Sequence, residues 1–318
     1  MINSKVIVHD DDEAAVAQIK SFLQEHNIIG LRAKTWEVIK TLKENIDLGA
    51  IIISNTMLEN NVNGIEIAER VHEIRSELPI FMRIDQDSEK QLTEKHKELA
   101  SGFFHLDNLS ELKALLDNHI FNAHYPEAFI EGVQDITQTA ISSVFKEFNV
   151  RMETPTVVRD QFVYGELFSL IALESDWGRG YMMVQAEEEA ISRAIEKNYT
   201  AIHLEQADFR DVNQVLNEIT NLIWGGLKSR FMQSYVSSQP EENVQVPTLI
   251  NHARHYISFG TMNPQLSFRY HLTNDAAQLY PITILQKFIF NLHWSPEKFA
   301  VSESAIDSGV ESGELELW

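Results

Sequence analysis

The chain has 318 residues, 44% of them hydrophobic and 23% charged, with a formal net charge of −21 at pH 7. That balance supports ordinary globular cores, and so negative a surface repels phosphate backbones and anionic lipid, which makes nucleic acid and membrane surfaces poor partners to expect. With no cysteine, disulfides, thiolate catalysis and cysteine-based zinc sites are excluded too.

In chain order, Met1–Val8 runs directly into His9-Asp10-Asp11-Asp12 and has neither the basic nor the apolar region of a signal peptide. No apolar stretch approaches the 18 residues of a membrane span, so the expected location is the cytoplasm, without membrane insertion. Short apolar runs at 5–8, 28–31, 50–54, 80–84 and 102–105 read as buried parallel strands. Amphipathic stretches at 13–25, 35–44, 64–76, 87–99 and 109–120 read as the helices between them. Five such units predict a doubly wound α/β domain over residues 1–121, with its working crevice at the carboxyl ends of the strands.

A second domain is expected over 122–294. It should open with a helix at 126–148, followed by antiparallel strands over 149–184 with a turn at Asp176-Trp177-Gly178-Arg179-Gly180. Helices at 186–197 and 209–233 come next, then strands over 245–290 with a turn at Thr273-Asn274-Asp275. Strands and helices out of strict alternation indicate an α+β domain. Residues 295–318 carry six acidic side chains, one lysine and several Ser and Gly, and read as a disordered acidic tail. Its end, Leu315-Glu316-Leu317-Trp318, has the look of a short docking peptide, against the plainer reading of a solvated tail.

The first domain resembles a response-regulator receiver. Lys5-Val-Ile-Val-His-Asp-Asp-Asp12 is similar to the first receiver strand with its paired acids. Asn55-Thr-Met-Leu58 is similar to the phosphoacceptor segment, and Asn63-Gly64-Ile-Glu-Ile-Ala68 to the start of the next helix. The resemblance implies a carboxylate acceptor, two acids for Mg²⁺, a hydroxyl and a lysine. Asp10 and Asp11 stand at the acid-pair positions and are expected as an exposed carboxylate cluster, with weak divalent-ion binding as the alternative. Asn55 stands at the acceptor position and cannot form an acyl phosphate. Ile84 replaces the hydroxyl and Leu106 the lysine. The implied role is that of a pseudo-receiver that docks or regulates without phosphotransfer.

The segment 211–228 of the second domain has two faces. Val212, Val215, Leu216, Ile219, Leu222, Ile223 and Leu227 form an apolar stripe at helical spacing, and Gln214, Glu218, Asn221, Gly225 and Lys228 form the opposite one. Glycine within a helix costs about 1 kcal/mol relative to alanine, so Gly225 suggests close approach of a partner beside Asn221. Trp224 borders the polar stripe, where it would meet a partner, a second subunit or the protein's own core. Taken alone, Glu218 and Asn221 read as a solvated polar face.

This helix resembles the catalytic helix of the CheX/CheC/FliY chemotaxis phosphatases: Glu218-x-x-Asn221, an apolar pair, Gly225 and Lys228. Phe129-Ile-Glu-Gly-Val, Gly180-Tyr-Met-Met-Val and Val246-Pro247-Thr248 are similar to other parts of that family. A lone Glu-x-x-Asn is expected about once by chance in a chain this long. Gln214 departs from the family's usual acid or serine, and the spacer to Pro247 is longer than usual. With one motif, the chain is closer to CheX than to CheC.

The resemblance implies hydrolysis of the phospho-aspartate of another protein's receiver. Asn221 would orient the water and Glu218 would pair with the partner's lysine. Gln214, Trp224, Gly225 and Lys228 would contact the partner. No cofactor of its own is implied, because the partner brings its Mg²⁺. A homodimer is suggested by the same resemblance. Two other readings stay open: a non-catalytic adaptor, and a phosphatase regulated by its pseudo-receiver. His252 and His255 have metal-like spacing, but in a strand residues three apart point to opposite faces, so no metal site is expected. Gly178-Arg-Gly180 is a hairpin signal and not a phosphate loop.

Overall fold

The computed structural model describes residues 2–55, 63–90, 92–161, 163–202, 204–232, 249–251, 256–259, 263–274 and 279–299. The chain divides into two compact units. The first comprises Met1–His124, Thr154–Val163 and Thr248–Phe268, and the second comprises Tyr125–Glu153, Tyr164–Pro247 and Arg269–Trp318. The chain passes from the first unit to the second at His124/Tyr125, and two later stretches return to the first unit. Among the described residues no helix is long and apolar enough to cross a membrane.

The first unit is built on strands β1 (Ser4–His9), β2 (Ile28–Arg32), β3 (Leu48–Ser54), β4 (Ile80–Ile84) and β5 (Gly102–His105), all parallel, in the order β2-β1-β3-β4-β5. The Val/Ile/Leu/Phe side chains of β1, β3 and β4 are buried on both faces, as a helix-covered parallel sheet requires, and the edge strands β2 and β5 are partly open. The helices are α1 (Glu13–Glu25), α2 (Val38–Glu44), α3 (Gly64–Ile74), α4 (Gln86–Glu89), α5 (Glu94–Leu99) and α6 (Leu109–His119). Asp12 caps α1 by accepting from the Ala14 and Ala15 amides, and Asn63 caps α3 through the Glu66 amide.

The single helix expected at 87–99 is two. Asp85 caps the first piece, and Thr93 with His96 forms a fresh capping box for the second. A threonine that satisfies amides in extended backbone ends one helix and starts another.

The returning segment completes the first unit. Strand β7 (Thr156–Val158) runs beside the start of β1: Asn3 bridges Thr156 in parallel, Val157 N–H donates to the Asn3 carbonyl at 2.9 Å, and the Ser4 hydroxyl donates to the Val157 carbonyl at 2.9 Å. Arg75, just past α3, lies buried beneath this segment. Its guanidinium donates to Glu77 (2.9 Å) and to the carbonyls of Asn45 (3.1 Å), Ile46 (3.4 Å) and Arg159 (2.8 Å), and stands 3.7 Å from Asp160. Burial pushes the Glu77 carboxyl upward, against the pull of Arg75. A short antiparallel pair, β10 (Leu249–Asn251) and β11 (Tyr256–Ser258), belongs to the same unit.

The second unit holds α7 (Glu127–Val144), β6 (Asn149–Met152), β8 (Leu167–Glu174), β9 (Gly178–Ala186), α8 (Glu188–Glu196), α9 (Phe209–Phe231) and β13 (Ile282–Trp294). The sheet order is β6-β12-β13-β9-β8, where β12 is Gln265–Thr273. The first residues of β12 pair with β7 and its later ones with β6. Gly178-Arg-Gly180 lies inside β9 and not in the expected turn, which is Ser175–Trp177. A Cβ at Gly180 would meet the Ile289 carbonyl oxygen at 1.9 Å, where the β9–β13 register shifts.

The core of the unit is aromatic. Phe129 makes ring contacts with Trp177, Phe231, Phe288, Phe290, Trp294 and Phe299, and the Trp177 indole donates to the Phe231 carbonyl at 3.1 Å. Phe299 corrects the expected tail, because residues 295–299 are ordered: a 3₁₀ turn at Pro296–Lys298 delivers Phe299 onto Phe129, Trp177 and Phe231. Residues 300–318 lie outside the described residues, as do His252, His255, Asp275 and Val246-Pro247-Thr248.

Replacing Arg75 with alanine strands Glu77 and Asp160 as buried carboxylates. The Arg75→Ala chain should lose about 3–5 kcal/mol of stability in urea denaturation, whereas a surface change such as Lys40→Ala should cost under about 0.5 kcal/mol.

Candidate functional site

Two places concentrate polar side chains at positions the folds present. The first is the crevice at the carboxyl ends of β1, β3, β4 and β5. Asp10 follows β1, Ser54 ends β3, Asn55 follows it, and Arg83 and Ile84 end β4. The Asp10 carboxylate is buried and not exposed as expected. Arg83 takes it in a two-pronged pair, Nε to Oδ2 at 2.5 Å and Nη2 to Oδ1 at 3.0 Å. The same Nη2 donates to the Ser54 hydroxyl at 2.9 Å, and the Asp12 amide donates to Asp10 Oδ1 at 3.0 Å. Asn55 is half-buried, and its amide donates to the Arg83 carbonyl at 2.9 Å. Asp11 is exposed.

Ile84 is buried and Leu106 half-buried, and both line an open groove of about 490 Å³ with Arg83, Asp85, Gln86 and His105. The structure therefore brings Asp10 to Arg83, and Ile84 to Leu106. Sequence reasoning missed Arg83. The signal was there: a lone charge within the apolar run Ile80-Phe-Met-Arg-Ile84 must find a buried counter-charge.

A divalent cation does not fit the residues present. The Asp10 oxygens are engaged by a guanidinium, Asn55 is neutral, and among the described residues no group of three or more His, Asp or Glu side chains could hold a metal ion.

His105 sits at the groove's edge between two carboxylates. Its Nδ1 lies 3.1 Å from Glu111 Oε2, which also accepts from the His105 amide at 2.9 Å, and its Nε2 lies 3.7 Å from Glu89. The hydrogen bond to Glu111 raises the His105 pKa. Burial lifts the Glu111 carboxyl, but the bonds from His105 outweigh it and bring it below its ordinary value.

The second place is α9. Asp208 caps it by accepting from the Arg210 and Asp211 amides at 2.7 and 3.2 Å, and Asp211 returns the bond to the Asp208 amide. Val212, Val215, Leu216, Ile219, Thr220, Ile223, Leu227 and Phe231 are buried, and the helix packs on α7, α8 and β8. Leu222, expected on the buried stripe, is only half-buried, and Thr220 takes a buried place by donating its hydroxyl to the Leu216 carbonyl at 2.8 Å.

Gln214, Asn221, Gly225 and Lys228 are exposed, and Glu218 and Trp224 half-buried. The Lys228 ammonium stands 5.6 Å from the centre of the Trp224 ring. Among the described residues neither Glu218 nor Asn221 has a hydrogen bond or ion pair within the chain. Among the described residues nothing lies within 4 Å of a Cβ built at Gly225, whereas one at Gly226 would meet Ile136 Cγ2 at 2.6 Å. Gly226 is explained by packing on α7, and Gly225 by nothing among the described residues.

The first unit has the flavodoxin-like doubly wound strand order, with its crevice at the strands' carboxyl ends. Solved structures similar to this chain on its N-terminal part are receiver domains. A response regulator receiver domain protein from Clostridium thermocellum is 19% identical, with 37% of this chain and 95% of that one covered and a TM-score of 0.35. The receiver domain of a two-component response regulator from Bacteroides fragilis is 16% identical, with 37% and 96% covered and a TM-score of 0.32. The receiver domain of Francisella response regulator 1452 is 21% identical, with 36% and 98% covered and a TM-score of 0.31. No family model matches the chain, and no curated protein matches it significantly.

Two measurements follow from this geometry. Gly225→Ala should keep or raise the melting temperature, worth up to about 1 kcal/mol. Gly226→Ala should lower it, at a cost in stability of about 1–3 kcal/mol, because Ile136 must move.

For the histidine pair, the raised His105 pKa gives stability that is fully present below its unfolded pKa and lost as pH rises through the folded one. The lowered Glu111 pKa gives stability present above the unfolded carboxylate pKa and lost as pH falls through the folded one. The pair therefore contributes most between about pH 5 and about pH 6.5. Both groups are partly exposed, so the effect is a few tenths of a kcal/mol, about 0.5 at most. His105→Asn should remove that contribution to the stability–pH curve measured by urea denaturation.

Proposed function

We propose that the exposed stripe of α9 acts on the phosphorylated receiver domain of another protein, as a phosphatase of its phospho-aspartate in two-component signalling. The observation that carries this reading is the pairing of Glu218 and Asn221, one turn apart on a rigid, capped helix. Their side chains have no partner within the chain among the described residues, and they stand beside a glycine whose surroundings are open.

An acyl phosphate is hydrolysed when a water attacks phosphorus in line with the leaving carboxylate. The P–O bond to the aspartyl oxygen breaks, and aspartate and inorganic phosphate are released. A carboxamide both donates and accepts hydrogen bonds, so Asn221 suits the task of holding that water on its line of attack. Glu218 would pair with the partner's active-site lysine and set the register of docking. Mg²⁺ and lysine belong to the partner. Gly225 lets the partner's backbone approach, and Gln214, Trp224 and Lys228 border the contact. No nucleophile on this chain is needed, which fits the absence of cysteine.

A second reading is a non-catalytic adaptor. The observation that favours it is the first unit's own crevice, where Asn55 replaces the acceptor and Arg83 holds Asp10. A chain that keeps one docking fold without its chemistry can use the other in the same way.

The test is the decay of a radiolabelled phospho-receiver with the full chain added. The wild-type chain should speed release of phosphate, Asn221→Ala should remove most of that acceleration, about 10²-fold, and Glu218→Ala should weaken it mainly through affinity. Receiver binding without any change in decay would replace the phosphatase by the adaptor.

A further inference from the structure

The receiver fold implies a divalent cation at the acid pair, and the residues of this chain do not accommodate one. We infer that Arg83 is a built-in counter-ion that takes the cation's place, so that the first unit holds one charge state whatever the Mg²⁺ concentration.

The geometry is specific. The Arg83 guanidinium meets both oxygens of Asp10, at 2.5 and 3.0 Å, and spends a further N–H on the Ser54 hydroxyl at 2.9 Å. All three side chains are buried, with Asp10 4%, Arg83 7% and Ser54 0% exposed. A carboxylate presents about four lone-pair sites, and here two are taken by Arg83 and another by the Asp12 amide. A metal ion would have to displace a guanidinium held by both oxygens of Asp10 and by the Ser54 hydroxyl. Among the described residues of the acid-pair and acceptor positions it would gain Asp10 and Asp11 as charged ligands, because Asn55 is neutral.

The fork of an arginine matches a carboxylate in two bonds, and its charge cannot be titrated away. The arrangement therefore does permanently what a bound cation does conditionally: it neutralises the acid at the end of β1 and ties it to the ends of β3 and β4. With the acceptor carboxylate also absent at Asn55, the crevice responds neither to a metal nor to a small phosphoryl donor. Partners of this face meet a fixed surface, so any regulation by the first unit comes from docking and not from a metal-dependent switch.

The test uses Mn²⁺ as probe and the full chain, read by water-proton relaxation, with Asp10→Asn as reference. The wild-type chain and Asp10→Asn should bind Mn²⁺ equally and weakly, without a site tighter than about 1 mM. Arg83→Met should create a site at least about tenfold tighter, lost again in the Arg83→Met/Asp10→Asn double variant. Arg83→Lys, which keeps a fixed cation, should stay blind to Mn²⁺ and remains informative if the methionine variant does not fold. A wild-type site that Asp10→Asn abolishes would overturn the inference. So would a folded Arg83→Met chain that gains none, or a lysine variant that gains one.

Discussion

Arg75 carries a guanidinium into a place that water scarcely reaches, and its N–H donors need acceptors there. They come from three separate stretches: Glu77 just ahead of β4, the Asn45 and Ile46 carbonyls just ahead of β3, and the Arg159 carbonyl with the Asp160 carboxylate from the returning segment. A buried arginine short of acceptors is costly, and the returning segment supplies two of them. Residues 154–163 therefore belong to the first unit, although the helix before them and the strands after them build the second. The second unit is made of interrupted stretches, and its aromatic core, centred on Phe129, draws on α7, α9, β13 and Phe299 to hold them together.

The same rule governs the opposite end of the sheet. Arg75 sits near the amino ends of β3 and β4, and Arg83 at the carboxyl end of β4. Each is satisfied by carboxylates and oxygens of the first unit. The α9 stripe is built the other way. Its buried side is filled by Val212, Val215, Leu216, Ile219, Ile223 and Leu227, and its one buried hydroxyl, Thr220, is satisfied within the helix. Its outward groups, Glu218 and Asn221, are left to water or to another molecule. This contrast between polar groups consumed by the fold and polar groups presented by it supports the helix as the seat of the proposed chemistry.

Much of this was legible in the chain. Val/Ile-rich runs in strict alternation with amphipathic stretches named the five parallel strands and their helices. The two stripes of α9 followed from helical spacing alone, with Leu222 as the exception. Local capping chemistry was underweighted: Thr93 starts a new helix where periodicity ran straight through, and the Gly178 and Gly180 pair belongs to a strand that needs close approach, not to a turn. Phe299 looked like part of a polar tail because its neighbours in sequence are acidic, yet its neighbours in space are aromatic rings.

The sequence by itself determined the five parallel strands of the first unit, which face of α9 is buried, and that Asn55 cannot accept a phosphoryl group, because each depends on residue type and spacing within a few turns of chain. Only the tertiary structure decided that Asp10 is paired to Arg83, that residues 154–163 return to cover Arg75, and that Gly225 stands in open space while Gly226 is pressed against Ile136. Those are contacts between residues far apart in the chain, or on facing elements. Their energies depend on burial and direction, which spacing along one segment does not specify.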